Sequence, residues 1–484
     1  VPNPQNPPIL VVPGLFGSIL TVTITSAGCD LMPKCAALRI ADAAFVDTVI
    51  AGPVTLQAFF TGSTDPLVLA GRADLLVTML TQKYNAKTNK VSYPLGVAVG
   101  NTGTPAQAYC DGVGKPYLNG LINGYLVADL GYELGRSVAC APYNWQLDMK
   151  SLQQTGAFKF LEAQAKALYW SSANDPPAKN MRRKKVVILG HSMGTLASTS
   201  AALWSPALRS IVSDAVLLSP PTAGSALTWS IALYGGNVAG LLSSDALSPI
   251  EEDAAQYLLW RMGQISLTGP VLAPYNLPDY SFKNPALRPE WPNGFPSGME
   301  VGYAYPVSGS DPTVTVTVGT QKGVLSGPLF READGTSLLA YLDKTWTRAH
   351  SYSDVVNGWT RRGGPRNVRL HCAYGTGLPT YQKSVAQVPF PWAGSPTDFV
   401  ADFFEFLNIV EQPDQELVPA TGDGIVNIQG SEGCHRLADA TGGTVATGSG
   451  PDTGHIAVLT PSAGSTALLN QALASAGVKI PATP

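Results

Sequence analysis

A mostly parallel α/β sheet with helices on both faces is the fold class this sequence predicts. Three observations predict it. Val186-Val-Ile-Leu189 is a β-branched apolar run of the kind that fills a central strand covered on both sides. Met193 to Ser205 follows with a helical pattern, and Ala215-Val-Leu-Leu218 reads as the next strand. Strand, helix and strand in alternation require parallel neighbours joined by crossover helices.

The remaining elements extend the pattern in both directions. Ile9-Leu-Val-Val12 reads as a short buried strand that breaks at Pro13-Gly14. From about Thr21 to Gly114 the chain is rich in Gly, Thr and Ala and reads as irregular. Tyr117 to Leu134 has apolar residues at helical spacing, Ser137 to Ala141 reads as a strand, and Leu152 to Trp170 as an amphipathic helix. The basic run Arg182-Arg-Lys-Lys185 is read as a solvated strand entrance in preference to a lipid-binding patch.

Between about Ser225 and Pro365 the alternation lapses into short helices, Pro-rich turns and a Thr/Val alternation at Thr313 to Val318. An insertion of this kind is the usual place for a cap over an α/β site. It holds Trp229, Trp260, Trp291, Trp346 and Trp359, read mostly as core, with a few available to line an acyl channel. The sheet pattern returns at Val368 to Tyr374 and ends in a helix near Ser465 to Ala476. The expected organisation is a core of residues 1–224 and 366–484, a lid-like irregular region at about 28–60, and a cap at 225–365.

Composition narrows the function classes. With 45% hydrophobic and 13% charged residues the chain is globular, and a formal net charge of -3 argues against a nucleic-acid partner. No stretch reaches the roughly 18 uninterrupted apolar residues of a membrane span. The opening V-P-N-P-Q-N-P-P is neither a basic nor an apolar leader, and it fits a processed N-terminus. The six cysteines, Cys29, Cys35, Cys110, Cys140, Cys372 and Cys434, show no C-x-x-C and no zinc-finger pairing with His, so no metal is expected. An even count suits two or three disulfides in an oxidising compartment, with buried free thiols as the alternative. No N-x-S/T sequon is present.

Gly190-His-Ser-Met-Gly194 lies between strand and helix, which makes it a nucleophile elbow, G-x-S-x-G. The turn is tight enough to demand glycine on either side, and it lifts the Ser192 hydroxyl to a helix N-terminus, where backbone N–H groups stabilise negative charge. A serine needs a base. Of the histidines after Ser192, His371 lies inside a strand pattern, His435 in a polar stretch after Cys434, and His350 in the cap. His455 sits on a Gly-flanked loop before the last helix, where a triad histidine belongs, and is preferred; His191, expected to point away from the nucleophile, is the weakest candidate. The acid falls between serine and histidine in this chain order. Asp423, between two glycines, is the candidate, with a plain Asp-Gly turn as its bland reading and Asp402, Glu405, Glu411 and Asp414 close by. The oxyanion donors are expected to be the N–H groups of Met193 and, on the Pro13-Gly-Leu-Phe-Gly17 loop, Leu15.

With these segments assembled, the chain resembles the lecithin:cholesterol acyltransferase-like family, which includes lysosomal phospholipase A2 and phospholipid:diacylglycerol acyltransferases. The resemblance is carried in order by I-L-V-V-P-G at 9–14, A-P-Y-N-W at 141–145, G-H-S-M-G at 190–194, L-H-C-A-Y-G-T-G-L-P-T at 370–380, G-D-G-I-V-N at 422–427 and G-H-I-A-V-L at 454–459. It implies an α/β-hydrolase fold, a Ser192, Asp423 and His455 triad, Leu15 and Met193 as oxyanion donors, and no cofactor. It also implies a Cys372–Cys434 disulfide. Cys29 and Cys35 fall in the region of the family's lid, too close together to copy its lid disulfide, and are expected to close a small loop with each other.

The activity implied is phospholipase A-type acyl hydrolysis or acyl transfer, with a lipid substrate at a membrane or particle surface and water or a lipid alcohol as acceptor. The implied location is secreted or lumenal. A neutral-lipid lipase or general carboxylesterase is the nearest rival, and a non-catalytic lipid-binding protein the more distant one. The sequence departs from the family pattern at Thr195, Leu15 and Gln146.

Overall fold

The computed structural model describes residues 6–15, 17–59, 62–80, 83–85, 88, 90–100, 118–175, 182–222, 224–225, 299–304, 313–318, 321–325, 351–362, 364–385, 416–426 and 428–481. Its centre is a six-stranded sheet: β1 (Ile9–Val12), β2 (Val138–Cys140), β3 (Val186–His191), β4 (Val212–Leu218), β5 (Arg369–Thr376) and β6 (Val445–Ser449). The order across the sheet is β6-β5-β4-β3-β1-β2, and every pairing is parallel. The order reverses beside β3, so the C-terminal end of that strand opens next to a topological switch point, where α/β proteins place their sites.

Successive strand residues feed two separate cores, as the two-residue period requires. Leu10, Val12, Ile188, Leu217 and Leu370 pack on one side with α1 (Ala157–Tyr169), α2 (Met193–Trp204) and α3 (Ile428–Thr441). Ile9, Val11, Val187, Leu189 and Val216 pack on the other with α4 (Ala463–Ser475) and a helix at Gly120–Asp129. That last helix is π-wound, ending on a bond from Leu130 N–H to Tyr125 O of 3.0 Å. The expected helix at 152–170 is two pieces, Met149–Gln154 and α1, because Gly156 turns left-handed between them at φ 87°.

The stretch expected to be irregular is largely helical where it is described. Helices occupy Ser26–Asp30, Pro33–Ala41, Ala43–Ala51 and Pro66–Leu80, and a small antiparallel sheet joins Thr21–Ile24 to Val54–Thr55 and Val97–Gly100. The alanine that blurred the apolar period is itself a strong helix former. Thr25 caps the first helix through a bond from Gly28 N–H. The partly buried pair Arg72–Asp42, at 2.6 Å, then fastens the fourth helix to the turn between the second and third. Cys29 and Cys35 are bonded to each other, as are Cys372 on β5 and Cys434 on α3; Cys140 is disulfide-bonded too. Most of the expected cap lies outside the described residues. Thr313–Val318 is a strand there, between Met299–Ala304 and Gln321–Leu325. The helix Ser351–Thr360 packs on α2, with Trp359 Nε1–H donating to Thr199 O at 3.2 Å.

Asp214 is a fully buried carboxylate at the start of β4. His371 Nε2–H (2.9 Å) and Arg369 Nε–H (2.7 Å) both donate to its Oδ1. Burial would raise its pKa, but the hydrogen bonds from His371, Arg369 and Ser213 outweigh burial and hold it below the ordinary 3.8. A carboxylate with a depressed folded pKa adds stability that is complete above the unfolded value and is lost as pH falls through the folded one. Urea midpoints should therefore drop on acidification below about pH 4, and Asp214→Asn should flatten that decline. A variant whose acid limb matches wild type would show that this carboxylate does not carry it.

Candidate active site

The elbow forms where β3 turns into α2. Ser192 sits at the corner with φ 51° and ψ -128°, a conformation that costs a non-glycine residue energy and is kept only where its surroundings enforce it. They do. Ser192 N–H is held by Leu218 O on β4 at 2.9 Å, and Thr195 closes the first turn from the other side, its hydroxyl donating to Ser192 O at 2.7 Å. This is the structural use of Thr195, one of the departures from the family pattern. Both elbow glycines are closely approached, Gly194 by main chain that leaves no room for a side chain. A Cβ on Gly190 would lie 2.9 Å from Ser198 Oγ and 3.0 Å from Gly194 O, and one on Gly194 would overlap the carbonyls of Val12 and Pro13.

That overlap also shows what stands beside the helix. The end of β1 and Pro13 lie directly against the first turn of α2, so the loop bearing Leu15 adjoins the elbow. Met193 opens α2, and its main-chain N–H has no partner within the helix. The loop is steadied from below by the A-P-Y-N-W segment. Tyr143 N–H donates to Ser18 Oγ (3.1 Å) and Trp145 Nε1–H to Ser18 O (3.0 Å). The departing residue Gln146 is buried in the same support, accepting from Tyr93 OH at 3.2 Å.

Asp423 and His455 meet. Asp423 Oδ1 accepts from the N–H groups of Ile425 (3.1 Å) and Val426 (2.7 Å), an Asx turn that Gly424 completes at φ 94°. Oδ2 remains free for His455, whose Nδ1–H donates to it at 2.8 Å. The bland Asp-Gly turn and the orienting carboxylate are thus one structure: the turn aims the carboxylate. His455 N–H also donates to Asp423 O at 2.7 Å. Both side chains are nearly fully buried. With Nδ1 committed as a donor, Nε2 is the nitrogen left to accept a proton.

The loop carrying His455 is seated on Gly375 of β5. A Cβ there would overlap Thr453 O and lie 2.8 Å from Thr453 C, two residues before the histidine. This explains a glycine in the 370–380 motif, and its cue, a glycine inside a strand pattern, signals close backbone approach. Among the described residues no hydrogen bond joins Ser192 Oγ to His455. The residue before Ser192 makes the link instead: His191 Nε2 lies 2.8 Å from His455 O, and the two ring centroids are 5.0 Å apart. His191 was expected to be a bystander. It faces the His455 loop because the residue before the corner is still in β3 and projects from that strand.

The other candidates are elsewhere. His371 is a buried core residue bound to Asp214, and His435 on α3 is bonded to Tyr374 OH at 2.6 Å. His350, Asp402, Glu405, Glu411 and Asp414 lie outside the described residues. Burial, and then the neighbouring His455, push the pKa of His191 well below 6.5 against the raising effect of its bond to His455 O, so this ring is neutral. Among the described residues no group of three His, Cys, Asp or Glu side chains could hold a metal.

A parallel sheet in this order, with an elbow at the end of β3 and a histidine–carboxylate pair beside it, defines a protein of the α/β-hydrolase type. Residues 83–264, the stretch holding the A-P-Y-N-W segment and the elbow, match the profile of the lecithin:cholesterol acyltransferase family. The motifs at 9–14, 370–380, 422–427 and 454–459 lie beyond the matched stretch. No curated protein matches the sequence. Among solved structures, the Tle4–Tli4 complex aligns over 97% of this chain and 97% of its own, with 13% identity and a TM-score of 0.45.

Proposed function

We propose that this protein is a serine-dependent lipid acyl hydrolase or acyltransferase, acting on ester groups of phospholipids. The family match supports an enzyme that hydrolyses or transfers acyl groups. The reading of residues rests on one observation: a buried Asp423–His455 hydrogen bond of 2.8 Å whose histidine is tied back to the residue preceding Ser192. Ser192 Oγ attacks the ester carbonyl while its proton passes to His455 Nε2, and Asp423 stabilises the resulting imidazolium. The oxyanion is met by the N–H groups of Met193 and Leu15. Collapse of the intermediate expels the alcohol, which takes the proton from His455 and leaves an acyl-Ser192 ester. Water or a lipid alcohol then attacks that ester with His455 as base. No cofactor takes part in these steps. The bonded cysteine pairs favour a secreted or lumenal protein meeting its lipid at a surface.

A fluorophosphonate probe tests the chemistry directly, because it reacts with an activated serine and not with an idle one. One label per chain, located at Ser192 by peptide mapping, is the expected result. Products from phosphatidylcholine and triacylglycerol vesicles, with and without a sterol or long-chain alcohol, then define the substrate. Fatty acid or a new acyl ester from phosphatidylcholine supports the proposal. Turnover confined to triacylglycerol would replace it with a neutral-lipid lipase, and an unlabelled chain with a lipid-binding protein.

A further inference from the structure

His455 is gripped on three sides. Its N–H and its ring Nδ1–H are both held by Asp423, at 2.7 and 2.8 Å. Its carbonyl is held at 2.8 Å by His191 Nε2. A carbonyl oxygen can only accept, so Nε2 carries the proton, and the neutral ring is the form that suits this buried position. The first two bonds fix the histidine to its carboxylate but do not relate that pair to the nucleophile. Among the described residues the third is the only hydrogen bond from elbow residues to His455, and it spans 264 residues of sequence. Its donor is the immediate neighbour of Ser192, whose own backbone is pinned to β4 through Leu218 O at 2.9 Å. The donor therefore stands on a fixed base.

We infer that His191 is a positioning residue: its Nε2–H sets the His455 loop at the spacing from Ser192 that proton transfer needs. This rests on the triad reading given above and adds to it a residue that touches neither substrate nor the transferred proton. The chemistry of the link makes a specific demand on the side chain. It must be uncharged, reach as far as an imidazole Nε2, and donate.

Three variants separate these requirements. His191→Phe keeps the bulk and loses the donor; His191→Asn keeps an amide donor one methylene short; His191→Gln restores both donor and reach. On a soluble short-chain ester, the Phe and Asn variants should lose about 10- to 100-fold in kcat, the cost of a misplacement near 1 Å. Their KM should stay within about twofold, since uniform substrate binding is untouched. Gln should recover most of the lost kcat. A general packing role would instead leave Gln as impaired as Asn. If Phe at this buried position prevents folding, the Gln and Asn pair, matched in polarity and both checked for a cooperative melt, still decides the matter. Equal kcat in Gln and Asn overturns the inference, as does a folded Phe variant with wild-type kcat. Ser192→Ala and probe labelling of the wild type are run alongside. A wild type that takes no label, or turnover surviving Ser192→Ala, would sink the triad reading itself, whereas a labelled wild type with indifferent residue-191 variants removes only His191 from the account.

Discussion

Ser192→Ala should fold as wild type and lose roughly 10⁴- to 10⁶-fold in ester turnover, the range seen when a triad serine is removed and only binding and oxyanion contacts remain. The same site makes a second demand that alanine does not meet. Residue 192 holds φ 51° and ψ -128°, which alanine finds as strained as serine does, but glycine occupies freely. Ser192→Gly should therefore be equally inactive and more stable than Ser192→Ala by about 1 kcal/mol, the released strain reduced by the greater unfolded-state entropy of glycine. Urea titration of the two variants measures the difference. Alanine matching glycine in stability would mean that the strain at the corner is no larger than the entropy cost of glycine, and near-normal turnover in either variant would end the serine mechanism.

Gly375→Ala is the change expected to damage both stability and activity most without touching a reacting group. The added methyl would overlap the Thr453 carbonyl, and main chain has no flexible tip to swing aside. Either β5 or the His455 loop must move. The cost should be about 2–4 kcal/mol, in the upper range for overpacking. Because Thr453 lies two residues from His455, a shift near 1 Å there should lower kcat by about 100-fold. Gly52→Ala serves as the control. Its backbone is extended at φ -179°, and a Cβ there meets nothing within 4 Å. Stability by urea midpoint and kcat on a short-chain ester, read on both variants, separate a general intolerance of substitution from this contact. A Gly375→Ala protein with the wild-type midpoint would mean that the loop does not rest on β5 as described.

Much of the sheet was legible because its signals are local. The run at 186–189, the short strands at 9–12 and 138–140, and the return at 369–376 are apolar segments bounded by turns, and each fell within a few residues of its expected place. The elbow was legible because two glycines around a serine, between strand and helix, have few other uses. Less readable was the chain from 26 to 51, where alanine recurs along the helices and blurs the apolar period. Nor did composition announce the break at Gly156 inside an otherwise continuous amphipathic pattern.

For this chain, then, local chemistry determined a doubly covered parallel sheet, a serine at a strand-to-helix corner, and a short set of histidines and carboxylates able to serve it. Tertiary structure supplied the contacts by which they meet. Asp423 is distinguished by an Asx turn that points one oxygen at His455, and His191 by reaching a carbonyl 264 residues away. Gly375 is distinguished by the main chain that lies across it. The reason is range. Turn and strand preferences act over a few neighbouring residues, whereas these contacts exist only after the sheet has brought distant segments within hydrogen-bond reach.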